Sequence, residues 1–215
     1  MKKFYTCKNE LVFKNIFYNK PNESLLKKLI EQSLGKEIEF LASTRPLKIN
    51  DYEFDEKELT VVLAQVNNKL THILIYGGSY YDGCHNILLA YAMNKLNEIN
   101  RIVYHLDTNN IIEINYIWDL PKEYDGVAKE TYKFYDQKSK TVILDNFSIV
   151  EFNMDEIAKQ ENDESKKYKF LNILNFNQEQ LNNLENPTEF DLKYKKAIED
   201  LNNDSKFIEF IKKDH

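Results

Sequence analysis

Apolar positions recur along this chain in two rhythms. From Leu11 to Leu34 the spacing is helical. Leu11, Phe13, Ile16 and Phe17 mark one side of a first helix, and Asn9 stands where a capping side chain belongs. Lys20-Pro21-Asn22 ends that helix, because proline disfavours the helical conformation in its predecessor. Leu25, Leu26, Leu29, Ile30 and Leu34 form the stripe of a second helix, which Gly35 stops. From Leu59 the period becomes two. Leu59, Val61 and Leu63 alternate with Thr60, Val62 and Ala64, so both faces are apolar and the strand is predicted to be buried on both sides. Asn67-Asn68 suits the positive φ angles of a tight hairpin turn. The return strand LTHILIY carries Leu70, Ile73, Leu74 and Ile75. The pattern predicts an antiparallel hairpin over residues 58–76, packed under the helix of residues 24–34.

Gly77-Gly78 ends the return strand. Ile87, Leu88, Tyr91, Met93 and Leu96 then predict a helix. RIVYHLD, IIEINYIWDL and KTVILDNFSIVEFNMDEIA read as strands, the last running into a polar break near Asp155. AKQENDESKK reads as a charged linker into a helical C-terminus. The order αα–ββ–α–ββ–β–αα predicts an α/β fold, a mixed sheet flanked by helices. Its core is expected over residues 1–158. Residues 159–215 are expected to form the linker and a helical extension packed on that core.

Composition narrows the function class. Of the 215 residues, 42% are hydrophobic and 13% aromatic, enough for a packed core and against extensive disorder. The net charge of −6 disfavours contact with nucleic acid by whole-molecule electrostatics, though a local basic patch stays open. Two cysteines, Cys7 and Cys84, with no CxxC, argue against a zinc ribbon or a disulfide framework. The N-terminus lacks the apolar segment of a signal peptide, and no stretch has the length and apolarity of a membrane span. The expectation is a cytoplasmic protein with no membrane partner. Abundant Asn and Lys fit the AT-rich codons of a low-GC bacterium.

Candidate chemistry is sparse. His72, His85, His105 and His215 show no HExxH spacing, and Cys84 and His85 are adjacent, so they diverge on helix or strand alike. Structural roles are expected for all of them. Asp51, Asp55 and Glu58 lie in an acidic run that reads as a solvated loop. GGSYYDGCHN is not a phosphate loop, but its Tyr80 and Tyr81 are candidates for stacking on bases, against the simpler reading of half-buried loop aromatics. Tyr116 and Trp118 are expected in the core. Lys166, Lys167 and Lys169 are balanced by Glu161, Asp163 and Glu164, which describes a solvated linker.

Several strings resemble one family. ELVFKNIFYNKPNESLLKKLIEQSLGKEIEFL, TVILDNFSIVEFNMDEIAK, KFLNILNF and KYKKAIEDLNN resemble the opening, a later strand and the C-terminal helices of the PD-(D/E)xK nuclease superfamily, in its recombination-promoting, transposase-associated branch. The resemblance spans roughly residues 8–205. It implies a restriction-endonuclease-like fold and, in active members, a Mg²⁺ site on the hairpin. There two carboxylates on adjacent strands hold the ion and a third polar residue orients the nucleophile. Laid over this chain, those three places fall at Thr60, Leu74 and Tyr76, and the retained acid is Glu10 in the first helix. The return strand contains no acid in any register. The resemblance therefore implies a degenerate, catalytically inactive relative, with no metal or other cofactor, acting by binding a protein partner, a second copy of itself or, weakly, nucleic acid. Two alternatives stay open. One is a Mg²⁺-dependent DNA endonuclease using displaced acids, with Glu10, Asp51 and Asp55 as ligands. The other is a structural or interaction module unrelated to nucleases.

Overall fold

The computed structural model describes residues 3–47, 59–81, 85, 89–90, 110–142, 146–159 and 168–213. Helix α1 (Glu10–Phe17) starts where Asn9 accepts hydrogen bonds from the Leu11 and Val12 backbones, and α2 (Glu23–Leu34) ends on Gly35 at φ 64°. Six strands follow: β1 (Ile38–Leu47), β2 (Leu59–Val66), β3 (Lys69–Ser79), β4 (Asn110–Trp118), β5 (Lys129–Tyr132) and β6 (Phe147–Asn153). They form one mixed sheet in the order β1-β2-β3-β4-β6-β5. Strands β1, β2 and β3 run antiparallel in succession, β4 lies parallel to β3, β6 parallel to β4, and β5 antiparallel to β6. Helix α3 (Met154–Lys159) follows β6, and helices α4 (Glu189–Asn203) and α5 (Ser205–Lys213) close the chain. The fold is α/β, as the periodicity predicts. Among the described residues, no helix is long and apolar enough to cross a membrane.

The predicted hairpin is present. Asn67 and Asn68 sit at φ 52° and 62°, the left-handed values a two-residue turn requires. Both faces of the sheet are buried, but by different layers. On one face Val62, Ala64, Ile73, Ile75, Ile114, Tyr116 and Phe152 meet α1, α2 and the C-terminal helices in one core. Tyr116 and Phe152 stack across adjacent strands at 5.5 Å, and Phe17 stacks on Tyr194 of α4 at 6.2 Å. The Tyr194 hydroxyl donates to the buried Cys7 sulfur at 3.2 Å. Burial pushes the Cys7 thiol up to about 12, so this cysteine is an inert core residue. On the other face Val61, Leu74, Tyr76, Ile111, Ile117 and Phe147 form a smaller cluster.

Three details differ from the sequence expectation. The chain re-enters the sheet soon after Gly35: Ile38–Leu47 is an edge strand, in a stretch to which the periodicity assigns no element. Helix α1 as well as α2 covers the hairpin: α1 sits on β3, while α2 lies over β1 and against α4 and shares one core with Val62 and Ile73. No polar break occurs at Asp155. Helix α3 starts at once, because Asn153 Oδ1 accepts from the Glu156 backbone at 3.1 Å and satisfies an otherwise orphaned N–H. The predicted helix through Ile87–Leu96, the strand RIVYHLD and the charged linker fall largely outside the described residues.

The closeness of α1 to β3 is set by Gly77. A β-carbon there would lie 2.4 Å from the Phe13 ring, inside van der Waals contact. Overpacking of this kind costs about 1–3 kcal/mol. Gly77→Ala is therefore expected to lower stability in urea denaturation by that amount, and a second change, Phe13→Leu, should recover part of it. A Gly77→Ala protein as stable as the parent would show that α1 does not rest on the strand.

Candidate functional site

The hairpin register follows from its turn. Asn67-Asn68 pairs Val61 with Leu74 and Thr60 with Ile75. Directly opposed residues share a face, so the residue beside Leu74 is Val61, while the register partner of Thr60 is Ile75. The register therefore sets Val61, and not Thr60, across from Leu74. Leu74 and Tyr76 do share a face, and both are fully buried there, at 0% and 1% exposure. Tyr76 directs its hydroxyl to the Ser79 carbonyl at 3.4 Å. Val61, Leu74 and Tyr76 pack; they do not fit a hard divalent cation.

Glu10 stands at the C-terminal end of β3. Its β-carbon is 3.2 Å from where Gly78 would carry one, close to the Tyr76 ring, and its carboxylate pairs with Lys14 at 2.8 Å. Asp51, Asp55, Glu58, Cys84, His105 and His215 lie outside the described residues. Among the described residues, no three His, Cys, Asp or Glu side chains converge in a geometry that holds a metal. Tyr80 and Tyr81 are half-buried and pack against the Leu74 cluster. The Tyr80 backbone donates to the Trp118 carbonyl at 2.7 Å, which ties the end of β3 to the end of β4.

The polar chemistry sits one strand further into the sheet. On β4, Glu113 is the register partner of Leu74 and Asn115 that of Tyr76. On β6, Glu151 is the register partner of Asn115. Strand alternation therefore puts Glu113, Asn115 and Glu151 on the same face as Leu74 and Tyr76. All three are buried, at 1%, 1% and 3% exposure. Asn115 Nδ2 donates to Glu113 Oε1 at 2.7 Å. His85, half-buried between the rings of Tyr80 (5.6 Å) and Tyr124 (5.7 Å), places Nε2 2.8 Å from Glu151 Oε2. A further acid, Glu130 on β5, stands directly across from Glu151 and accepts a hydrogen bond from Tyr132.

These contacts reset the acid–base properties of the cluster. The hydrogen bond to Glu151 raises the His85 pKa; partial burial opposes that rise, while the charges of Glu151, Glu113 and Glu130 add to it. Burial pushes the Glu113 carboxyl up to about 7, opposed by the Asn115 amide and reinforced by the Glu151 charge. A carboxyl that titrates near neutrality beside an imidazole paired with a second acid is suited to holding or moving a proton, or to meeting a cation.

Sequence reading treated His85 as structural and passed over Glu113, Asn115 and Glu151 altogether. One signal was present. In IIEINYIW, an acid and an amide two residues apart interrupt a strand otherwise apolar on both faces. Polar residues at buried strand positions need partners. Nothing in the sequence pointed to Glu151 as a neighbour, because a parallel pairing across a long connection brings it there.

The Glu113 shift sets a pH dependence. The folded pKa of about 7 lies above the ordinary 4.5, so the folded state holds the proton more tightly than the unfolded chain. The contribution is fully present below pH 4.5 and is lost as pH rises through 7. The difference corresponds to about 3 kcal/mol. Glu113→Gln keeps an acceptor for Asn115 and does not titrate. Melting in metal-free buffer should therefore show the variant gaining on the parent by up to about 3 kcal/mol between acidic and mildly basic pH. Parallel pH profiles for the two proteins would mean that Glu113 is not proton-linked to folding.

No family model, no curated protein and no solved structure matches this chain.

Proposed function

We propose that this chain is a nuclease-like protein of the transposase-associated PD-(D/E)xK branch whose hairpin has lost its cleavage chemistry, and that it acts by binding. The observation that carries this reading is the filled hairpin face. Leu74 and Tyr76 are fully buried among Val61, Ile111, Ile117 and Phe147, where active members of the resembled family need exposed polar ligands. A mixed sheet flanked by helices is the architecture that the resemblance implies, which supports the reading at the level of fold class. The net charge of −6 and the acids on the face beside Leu74 favour a protein partner over a phosphate backbone. The second reading, an endonuclease with displaced acids, draws more on Glu113 and Glu151 than on Glu10, which Lys14 neutralises.

Two measurements test the proposal. Incubated with plasmid, single-stranded DNA or RNA in Mg²⁺ or Mn²⁺, the protein should leave all of them intact. Ion-dependent cleavage that disappears in Glu113→Gln or Glu10→Gln would overturn the loss of chemistry. Separately, Leu74→Glu should be strongly destabilising. It removes about 2–3 kcal/mol of apolar burial and sets a second carboxylate beside Glu113. A Leu74→Glu protein that melts with the parent would mean that the hairpin face is open and able to hold ligands.

A further inference from the structure

The face of the sheet beyond the hairpin carries a polar group that packing does not explain. Among the described residues, Glu113 Oε2 and Asn115 Oδ1 have no hydrogen-bond partner, although both side chains are 99% shielded from solvent or nearly so, at 1% exposure. Leaving a buried acceptor unpaired is destabilising, and more so when it is charged. Glu151 stands at the diagonal position, within reach: its register partner is Asn115, two residues along β4 from Glu113. Diagonal neighbours on adjacent strands lie about 7–8 Å apart, a gap that two long side chains close. Glu130, directly across from Glu151, adds a like charge that by itself opposes the pairing of β5 with β6. One imidazole, His85, faces this set of acids.

Glu113 Oε2 and Asn115 Oδ1 are both acceptors, while the remaining polar ends of the cluster, His85 Nε2 and Glu151 Oε2, stand 2.8 Å from each other. The Asn115 amide already donates its nitrogen to Glu113, so its oxygen is the end left over. The complement of such a set is a cation. The donors are hard oxygens, two carboxylates and one amide, and three protein oxygens leave several coordination positions to water. That is the habit of Mg²⁺ and Mn²⁺, whereas Ca²⁺ takes 6–8 oxygens and Zn²⁺ prefers nitrogen and sulfur. His85 is not needed as a ligand. It stands 2.8 Å from Oε2 of Glu151, so the other carboxylate oxygen is not engaged by the imidazole.

We propose that Glu113, Asn115 and Glu151 form a binding site for one divalent cation of the hard, oxygen-preferring class, Mg²⁺ or Mn²⁺, on the sheet face beside the filled hairpin. Leu74 and Tyr76, the register neighbours of Glu113 and Asn115, wall the site on the β3 side. The ion neutralises the row of acids across β4, β6 and β5 and ties β4 to β6. The site does not depend on any nuclease activity, and its test uses no nucleic acid.

The probe is Mn²⁺, titrated into the full chain at neutral pH and followed by the electron-spin signal of the free ion, with Mg²⁺ as competitor. One Mn²⁺ per chain is expected, displaced by Mg²⁺ and accompanied by a higher melting temperature. Glu113→Gln and Glu151→Gln should each weaken binding by about tenfold or more, at least what loss of a supporting partner costs at metal sites. Both variants keep their hydrogen-bonding shape, and circular dichroism checks their folding. His85→Gln should bind as tightly as the parent or more so, since a competing positive charge is removed, and Glu31→Gln, on the far side of the sheet, should bind unchanged. The proposal is overturned if the parent binds no Mn²⁺ at millimolar concentration, which would mean that a proton on Glu113 alone satisfies the cluster. It is overturned equally by binding that survives Glu113→Gln, or by loss of binding in His85→Gln. Mn²⁺ binding without cleavage of any nucleic acid would leave both the site and the binding-protein reading standing. Cleavage would remove only the latter.

Discussion

The two-residue turn at Asn67-Asn68 decides what the rest of the sheet can do. With both asparagines in the left-handed region, the hairpin has one register, and that register sorts its residues between two layers. Val62, Ala64, Ile73 and Ile75 face the helices; Val61, Leu74 and Tyr76 face the other way. A slip of one residue would exchange the two sets. The hairpin so oriented offers Leu74 and Tyr76 to one face, and the parallel pairings of β4 with β3 and of β6 with β4 then set Glu113 beside Leu74 and Glu151 beside Asn115.

The two faces solve different problems. The helical face is an aromatic core, with Phe13, Phe17, Tyr116, Phe152 and Tyr194 in contact through α1 and α4. Gly77 lets α1 approach, and Asn202 of α4 clamps the N-terminal segment by bonding both the N–H and the carbonyl of Tyr5. The first and last parts of the chain are thus held together by buried polar bonds as well as by packing. The second face mixes apolar side chains with acids. The hairpin's share of it is apolar, while β4 and β6 contribute both apolar side chains and acids. A burial cost that the hairpin avoids by carrying Leu74 and Tyr76 is met instead by Glu113 and Glu151, with His85 and Asn115 as partial compensation. The acids of this face begin on β4, one strand away from the apolar hairpin.

Local structure was legible in the sequence because its causes are local. Asn9 as a cap, Gly35 as a stop, the asparagine turn and the double-sided burial of the hairpin each follow from a residue type and its immediate neighbours. The mixed α/β class followed from the order of the elements. Strand β1 was not legible, because an edge strand needs only one paired side and its sequence, IEFLASTRPL, lacks a sustained alternation. Nor was the polar cluster. Glu113 and Asn115 were visible as interruptions in an apolar strand, but whether they face solvent, each other or a third group depends on which strand lies alongside. Glu151 reaches them through a parallel pairing of strands separated by β5 in the chain, and His85 through the connection between β3 and β4. Sequence determined the turn and the alternation; only the tertiary structure decided which side chains share a face, because parallel register is set by the packing of whole elements and leaves no mark on neighbouring residues.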